Sequence, residues 1–182
     1  MKLSSWPRNL SIKQFYIQMI TGWCRPMTSK KTRELTLLAI LTALSLALGF
    51  IHIPSPTGFL TLIDTGIFFT AFYLGSKSGA VVGGLSAFLL DFLLAYPQYM
   101  FFSLFAHGLQ GYFAGWTGAR RYLGLLLASL AMVGIYILAA LVLGFGWGAA
   151  LAGIWGNLSQ NVLGLVVGAA LYRAFSKAFP RK

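Results

Sequence analysis

The 182-residue chain is 58% hydrophobic and only 9% charged, with a mean hydropathy of +0.76. A soluble domain carries about 25% charged residues, so this composition excludes a mainly water-exposed surface and predicts a membrane domain. The net charge of +11 does not indicate nucleic-acid binding, because the lysines and arginines lie at the two ends and between apolar runs, as cytoplasmic loop charges do. The single cysteine rules out a disulfide framework and a zinc cluster, and we expect no metal and no cofactor.

Residues 1–33 form a basic segment that we place in the cytoplasm or at the membrane interface. Apolar residues recur there at helical spacing from Ile12 to Trp23, which predicts an amphipathic helix on the inner leaflet. The alternative is that Met27 is the natural start, since a short basic stretch and an apolar run follow it directly. Residues 34–182 are then the membrane domain.

Six apolar segments predict an all-α membrane protein with six transmembrane helices. The segments lie near residues 35–51, 60–75, 78–95, 100–118, 122–143 and 149–175. Lysine and arginine occur in every second connection and in both termini, whereas the other three connections have none. The positive-inside rule therefore places both termini in the cytoplasm.

Small residues recur every fourth position on several of these helices. The glycine pairs 79/83, 111/115 and 164/168 are best explained by close helix packing inside the bundle. Ala39, Ala43 and Ala47 form a similar stripe on the first helix. Two explanations stay open for that stripe: packing within the bundle, or docking of a partner membrane protein on a flat face.

The sequence contains no recognisable catalytic machinery. The segment Gly75–Ser78 lacks the glycine spacing and the Gly-Lys pair of an ATP-binding loop. Ser86 lacks the flanking glycines of a nucleophile elbow, and no His-Glu-x-x-His metal motif occurs. We therefore expect a protein that is not an enzyme, and whose transport energy comes from a partner or an ion gradient.

Polar side chains at membrane depth are costly and mark candidate functional positions. Three of them, Asn157, Gln160 and Asn161, share one face of the last helix. With aromatic residues of the outer loops such as Tyr99, they predict an outward-opening pocket for a flat heteroaromatic ring. The complete set of predicted substrate-binding residues is Asp64, Asp91, Tyr96, Gln98, His107, Gln110, Asn157, Gln160 and Asn161.

Each of these residues also has a structural explanation. Asp64 would suit the first turn of a helix as a cap. Asp91 would suit the interface, where it accepts backbone hydrogen bonds, and His107 would suit a satisfied core position. The three amides would suit hydrogen bonding between helices.

The ordered motifs resemble the substrate-binding S component of an energy-coupling factor (ECF) vitamin transporter. The matching residues are Ala39-x-x-x-Ala43, Ile53-Pro54-Ser55-Pro56-x-Gly58-Phe59, Leu62-x-Asp64, Gly75-x-x-x-Gly79 with Gly83-Gly84, Asp91 with Tyr96-Pro97, and Gly108-Leu109-x-Gly111-x-x-x-Gly115. They extend over roughly residues 30–175. Within the family, the chain is most similar to the group assigned to hydroxymethylpyrimidine or pyridoxine, although His107 stands where many relatives carry lysine.

The resemblance implies a six-helix fold in the bacterial cytoplasmic membrane with a ligand pocket near the outer surface. It also implies a complex with a transmembrane coupling protein and two ATP-binding-cassette ATPases, and docking through Ala39 and Ala43, with Ala47 extending the stripe. The alternative is a stand-alone ion-coupled carrier in which Asp91 and His107 relay protons, although the inverted repeats of such carriers are not visible.

Overall fold

The computed structural model of the protein describes residues 30–55 and 58–179. The chain divides into two units, residues 1–35 and 36–182, and the contacts reported below lie within the second. The predicted N-terminal amphipathic helix and the alternative start at Met27 lie outside the described residues.

Six α-helices account for most of the described residues, and each predicted apolar segment overlaps one of them. They are α1 (Lys30–Gly49), α2 (Ile63–Leu74), α3 (Ser76–Leu93), α4 (Met100–Ala114), α5 (Arg121–Val142) and α6 (Gly146–Ala178). A single 3₁₀ turn, Gly118–Arg120, leads into α5.

A β-hairpin that the sequence did not predict connects α1 to α2. Strand β1 (His52–Ser55) pairs antiparallel with β2 (Gly58–Thr61), so that Ile53 lies opposite Leu60. The predicted start of the second helix at residue 60 is therefore wrong, because residues 60 and 61 belong to β2 and the helix begins at Ile63. Pairing of the two strands satisfies backbone groups that would otherwise need water.

The described bundle has a largely apolar surface, and many polar side chains are buried beside its apolar core. Leu130, Val142 and Trp155 are 58%, 64% and 74% exposed, whereas Asp64 and Gln110 are fully buried. Several buried hydroxyls donate to a carbonyl one turn earlier in their own helix, as Thr70 does to Gly66 at 2.7 Å. This arrangement suits a lipid environment, where no water satisfies polar groups.

Four of the described helices are long and apolar enough to cross a membrane. They cover Lys31–Gly49, Ser76–Leu93, Gly118–Val142 and Gly146–Ala178. Helix α2 is apolar but has only 12 residues, and α4 has 15. The described chain thus has a multi-pass helical architecture, while a count of six spans stays a prediction.

Helices α2 to α6 form a closed ring, in which each helix packs against its neighbour in the chain and α6 returns to α2. Helix α1 lies outside the ring. It contacts α2 where Ser45 lies against Gly66, and it contacts α3 where Gly49 lies against Leu90. The ring encloses the volume in which a site can form, and α1 packs against it from outside.

Glycines allow the closest approaches within the ring. A side chain on Gly79 would meet the carbonyl oxygen of Gly111 at 2.5 Å, and one on Gly111 would overlap the backbone of Gly79. A side chain on Gly164 would likewise overlap Asp64 of α2. The structure therefore confirms that these glycines pack helices together, and the short α2–α6 and α3–α4 distances bring the polar residues of different helices within reach of one another.

Candidate functional site: a polar pocket inside the helix ring

A pocket opens inside the ring, at the end that carries the hairpin and the turns following α3 and α5. All five ring helices and β2 contribute to its wall. Its volume is about 60 Å³, measured as the space open to the centres of water molecules. We call this end of the bundle the loop end. The basic residues Lys77, Arg120 and Arg121 lie on the opposite side, Lys77 where α3 begins after α2 and the two arginines where the 3₁₀ turn leads into α5.

The wall of the pocket combines small or apolar residues with polar ones. The small or apolar residues are Leu60, Ile63, Ala87, Leu90, Ala140, Ala149, Ala150, Gly153 and Gly156. The polar residues are Thr61, Asp91, Tyr96, Tyr99, Ser103, His107, Tyr136, Asn157 and Gln160. Such a wall suits a small ring that needs both a flat apolar surface and several directed hydrogen bonds.

Five of the nine predicted binding residues line this pocket. They are Asp91, Tyr96, His107, Asn157 and Gln160. The structure places Asp64, Gln110 and Asn161 behind the wall, fully or almost fully buried, and leaves Gln98 exposed in the turn between α3 and α4. Apart from Gln98, the predicted set therefore separates into a layer that faces the cavity and a layer behind it.

Asp64 belongs to the layer behind the cavity wall and lies beside His107. Its Oδ1 lies 3.0 Å from Nδ1 of His107, while the better-aligned partner of that nitrogen is Oε1 of Gln110 at 2.8 Å. Asp64 lies in the first turn of α2 but makes no capping hydrogen bond, since the cap position is Leu62. Asp64 therefore does not cap α2 by a hydrogen bond, whereas its place in the first turn is one that the helix dipole favours for an acid.

A chain of side-chain contacts leads from His107 across the pocket. Nε2 of His107 lies 3.2 Å from the hydroxyl of Tyr136, and that hydroxyl lies 2.8 Å from Oγ of Ser103. The hydroxyl of Ser103 is also hydrogen-bonded to the carboxyl group of Asp91. The second carboxyl oxygen of Asp91, Oδ2, is buried and has no hydrogen-bond partner among the described residues.

Asn161 and Gln110 are held by one methionine at the centre of the bundle. The amide nitrogens of both residues lie 3.4 Å from Sδ of Met132. The amide oxygen of Asn161 accepts a hydrogen bond of 2.8 Å from Ser129. These contacts satisfy Asn161 within the bundle, which agrees with its position behind the pocket wall.

Gln160 connects the hairpin to α6. Its Oε1 accepts a hydrogen bond of 2.7 Å from the backbone N–H of Thr61, and the hydroxyl of Thr61 accepts a 3.3 Å hydrogen bond from the N–H of Ile63. Because Leu60 and Thr61 line the pocket, this contact holds the hairpin over the cavity.

Aromatic rings form one side of the cavity near its opening. The ring of Tyr99 lies 6.5 Å from those of Tyr96 and Tyr136, and it stacks on Phe145 at 6.3 Å with an angle of 11°. Tyr99 is only 7% exposed, whereas Trp147, also an outer-loop aromatic, is 66% exposed and does not line the pocket. The aromatic surface expected from the outer loops therefore comes mainly from the turn before α4.

Sequence reasoning missed Tyr136, Ser103 and Thr61. Tyr136 lies well inside the apolar run of α5, whereas Tyr122 lies at its start, and a hydroxyl at that depth could have been recognised as costly in lipid. Ser103 and Thr61 gave no such signal, because hydroxyls of this kind commonly bond to their own helix backbone.

The alanine stripe of α1 is exposed in the described bundle. Ala39, Ala43 and Ala47 all lie on its surface, whereas Leu41, Thr42 and Ser45 are buried against the ring. Packing inside the bundle does not account for the stripe.

Comparison with known proteins identifies the architecture first. The chain resembles the solved structure reported as "Structure and mechanism of the S component of a bacterial ECF transporter", with a TM-score of 0.68 at 22% identity, covering 83% of this chain and 99% of that one. The fold is therefore that of an S component.

Sequence comparison then gives the family. The model of the family described as ECF-type riboflavin transporter, S component, matches residues 29–177, and the chain belongs to this family. It is 44% identical over 149 residues to the thiamine precursor transporter HmpT of Lactococcus lactis subsp. cremoris, covering 80% of this chain and 89% of the relative. It is also 33% identical over 127 residues to an uncharacterised protein of Pyrococcus woesei, covering 66% of this chain and 84% of that protein.

The comparisons confirm the predicted resemblance to ECF S components and the assignment to transport. They also confirm that the chain is a transporter subunit and not an enzyme, with ATP hydrolysis performed by other subunits of the transporter.

Proposed function

We propose that this protein captures a thiamine precursor of the hydroxymethylpyrimidine type in the polar pocket at the loop end and delivers it to an ATP-driven ECF importer. The observation that carries the proposal is the pocket itself, in which Asp91, Asn157 and Gln160 present hydrogen-bonding groups beside the Tyr99 ring. The relationship to a thiamine precursor transporter supports the same ligand class. A precursor of thiamine is a pyrimidine or a thiazole, and the donors and acceptors here suit a substituted pyrimidine.

The size of the pocket supports a single-ring ligand. A single water needs about 10–15 Å³ of the space open to water centres, although it occupies about 30 Å³ in the liquid. A cavity of about 60 Å³ on the first measure therefore holds about four to six waters, which the ligand would replace. That volume suits a substituted six-membered ring such as hydroxymethylpyrimidine or pyridoxine. A flavin, with three fused rings and a sugar-like chain, is much larger, so the name of the family model does not determine the ligand of this chain.

Coupling is proposed to occur through α1. A transmembrane coupling protein would dock on the exposed face of Ala39, Ala43 and Ala47, because small side chains let two helices approach closely in lipid. Two ATP-binding-cassette ATPases would complete the complex, since the sequence contains no ATP-binding loop of its own.

The proposed membrane is the bacterial cytoplasmic membrane, crossed six times with both termini inside. The loop end then faces outward and the connections that carry Lys77, Arg120 and Arg121 face the cytoplasm, as the positive-inside rule requires. Helices α2 and α4 are short for spans, and neighbouring helices and the hairpin would shield their ends from lipid.

A second candidate is a stand-alone proton-coupled carrier, and one observation favours it. Asp91 and His107, the residues predicted to relay protons, are in fact linked through Ser103 and Tyr136. A carrier would transport without ATPases and would stop when a protonophore collapses the proton gradient.

The test measures ligand binding and energy coupling separately. Calorimetry on the purified protein should show binding of hydroxymethylpyrimidine at micromolar concentration or below, with riboflavin as the size control. Uptake in cells should require co-expressed ECF ATPases and should survive a protonophore as long as ATP is maintained. Binding of riboflavin alone would refute the ligand, and uptake without ATPases would favour the carrier.

A further inference from the structure

Resting on the proposed function, we infer that the chain from His107 to Asp91, with Asp64 beside its first member, is a one-way hydrogen-bond chain that presents the free carboxylate oxygen of Asp91 to an amino group of the ligand. The cavity-facing end is Asp91, which is 6% exposed and whose Oδ2 has no partner among the described residues. A buried polar atom without a partner is costly, and a ligand donor in the pocket would satisfy it.

The direction of the chain follows from counting protons. The hydroxyls of Tyr136 and Ser103 carry one proton each, and each hydroxyl contacts two neighbours along the chain. If both ring nitrogens of His107 are protonated, Nε2 donates to Tyr136, Tyr136 donates to Ser103, and Ser103 donates to Asp91. Asp91 is then the final acceptor and is ionised.

The reverse direction needs a different distribution of protons. A neutral His107 with its proton on Nδ1 would accept from Tyr136, Tyr136 would accept from Ser103, and Ser103 would accept from Asp91. Asp91 would then have to be a protonated acid. The protonation states of the two residues are therefore linked through the chain: a protonated His107 goes with an ionised Asp91, and a neutral His107 goes with a protonated Asp91.

Asp64 selects the first direction. Its carboxylate is completely buried, neither of its oxygens has a well-aligned hydrogen bond, and Oδ1 lies 3.0 Å from Nδ1 of His107. In the proposed state, an imidazolium at His107 compensates the carboxylate of Asp64, which would be costly to bury alone. The other ionisable groups near the chain are the hydroxyls of Tyr96, Tyr99 and Tyr136, which are neutral when protonated.

The consequence is a preference for a particular edge of the ligand. An ionised Asp91 accepts hydrogen bonds and donates none, so it favours a group that only donates. The amino group of an aminopyrimidine is such a group, because its lone pair is delocalised into the ring. Asp64 and His107 are on this view positioning residues for Asp91, and Asp64 acts on the ligand without lining the pocket.

Nitrogen-15 NMR of histidine tests the direction without any ligand. The chain has two histidines, and replacing the exposed one, His52→Gln, leaves the signal of His107 alone. We expect both nitrogens of His107 to be protonated at neutral pH in the parent protein, and Nε2 to lose its proton in Asp64→Asn. A neutral His107 in the parent protein would overturn the inference, whatever the ligand is.

Calorimetry tests the consequence for binding, using hydroxymethylpyrimidine and the same molecule without its amino group. Asp64→Asn and Tyr136→Phe should each weaken binding of hydroxymethylpyrimidine by about 5- to 150-fold, the effect expected for loss of one buried hydrogen-bond partner. Binding of the amino-free analogue should change less than about twofold in Asp64→Asn by the same reasoning. Equal losses for both compounds, with a lower melting temperature, would show a purely structural role and refute the inference.

The two proposals fail in distinguishable ways. If the parent protein binds neither compound, the proposed function is wrong, while the NMR spectrum still decides the direction of the chain. If it binds both compounds equally well, the proposed function stands and the role of Asp91 is refuted. Asp91→Asn provides a further variant of nearly unchanged shape, which should lose the preference for the amino-bearing compound and keep the melting temperature.

Discussion

Replacing Gln160 with alanine should release the hairpin from α6 and weaken ligand binding. The 2.7 Å hydrogen bond from the N–H of Thr61 to Oε1 of Gln160 is buried, and Gln160 also lines the pocket. Loss of the acceptor leaves a buried donor without a partner, at a cost of about 1–3 kcal/mol. If the hairpin stays in place, this cost lowers the stability of the protein. If the hairpin moves away so that the N–H of Thr61 reaches water, the ligand must bring it back, and the cost lowers the affinity instead.

We expect the second outcome, because the strands pair mainly with each other and the described hairpin is held to α6 by the hydrogen bond to Gln160. Affinity for hydroxymethylpyrimidine should therefore fall by about 5- to 150-fold, which corresponds to about 1–3 kcal/mol, with faster dissociation. Calorimetry measures the affinity, stopped-flow binding the dissociation rate and a melting curve the stability, all on the same sample.

Gln160→Glu is the matched control, since it keeps an acceptor for Thr61 at nearly the same position. It should retain more of the affinity than Gln160→Ala. A drop in melting temperature with unchanged affinity in Gln160→Ala would refute the reasoning and show that the residue serves only to hold helices together.

Three further predictions concern packing, docking and orientation. Gly111→Ala should lower stability by about 1–3 kcal/mol, because its new Cβ would overlap the backbone of α3, whereas Gly134→Ala should not, since nothing lies within 4 Å of a Cβ there; melting curves in detergent compare the two. Ala43→Trp should abolish uptake in cells while calorimetry still shows ligand binding, because the residue is exposed on α1 and does not line the pocket; loss of both activities would indicate misfolding instead. In a chain whose native cysteine has been replaced, a cysteine at Gly146 should react with an impermeant thiol reagent from outside and one at Ser76 should not; the opposite pattern would invert the proposed topology.

The helices could be predicted from the sequence because lipid imposes simple requirements on it. Long apolar runs separated by charged or glycine-containing turns leave few alternatives to a helical bundle, and all six predicted segments overlap observed helices. The hairpin was missed because its strands have only four residues each and contain Pro54, which weakens any strand pattern. A run that begins with Leu60 looked like the start of the next apolar helix.

The site could be predicted in part, for a similar reason. Polar residues at membrane depth marked the correct region, but sequence alone does not show which of them face the cavity. Asn157, Gln160 and Asn161 share one helical face, yet Asn161 points to Ser129 and Met132, while the other two line the pocket. That separation depends on how α5 crosses α6, which the sequence pattern does not specify.

The two walls of the pocket differ in how much change they tolerate, and this bears on how such a scaffold acquires new ligands. The wall formed by α3 and α4 is fixed by backbone contacts at Gly79 and Gly111, where any added atom would move a helix. On the α6 wall, a methyl group on Gly156 would meet only the end of the flexible Leu60 side chain at 3.0 Å. Engineering for smaller or larger vitamins should therefore begin at Gly156 and the neighbouring small residues of α6, where cavity volume can be altered one carbon at a time without disturbing the rest of the bundle.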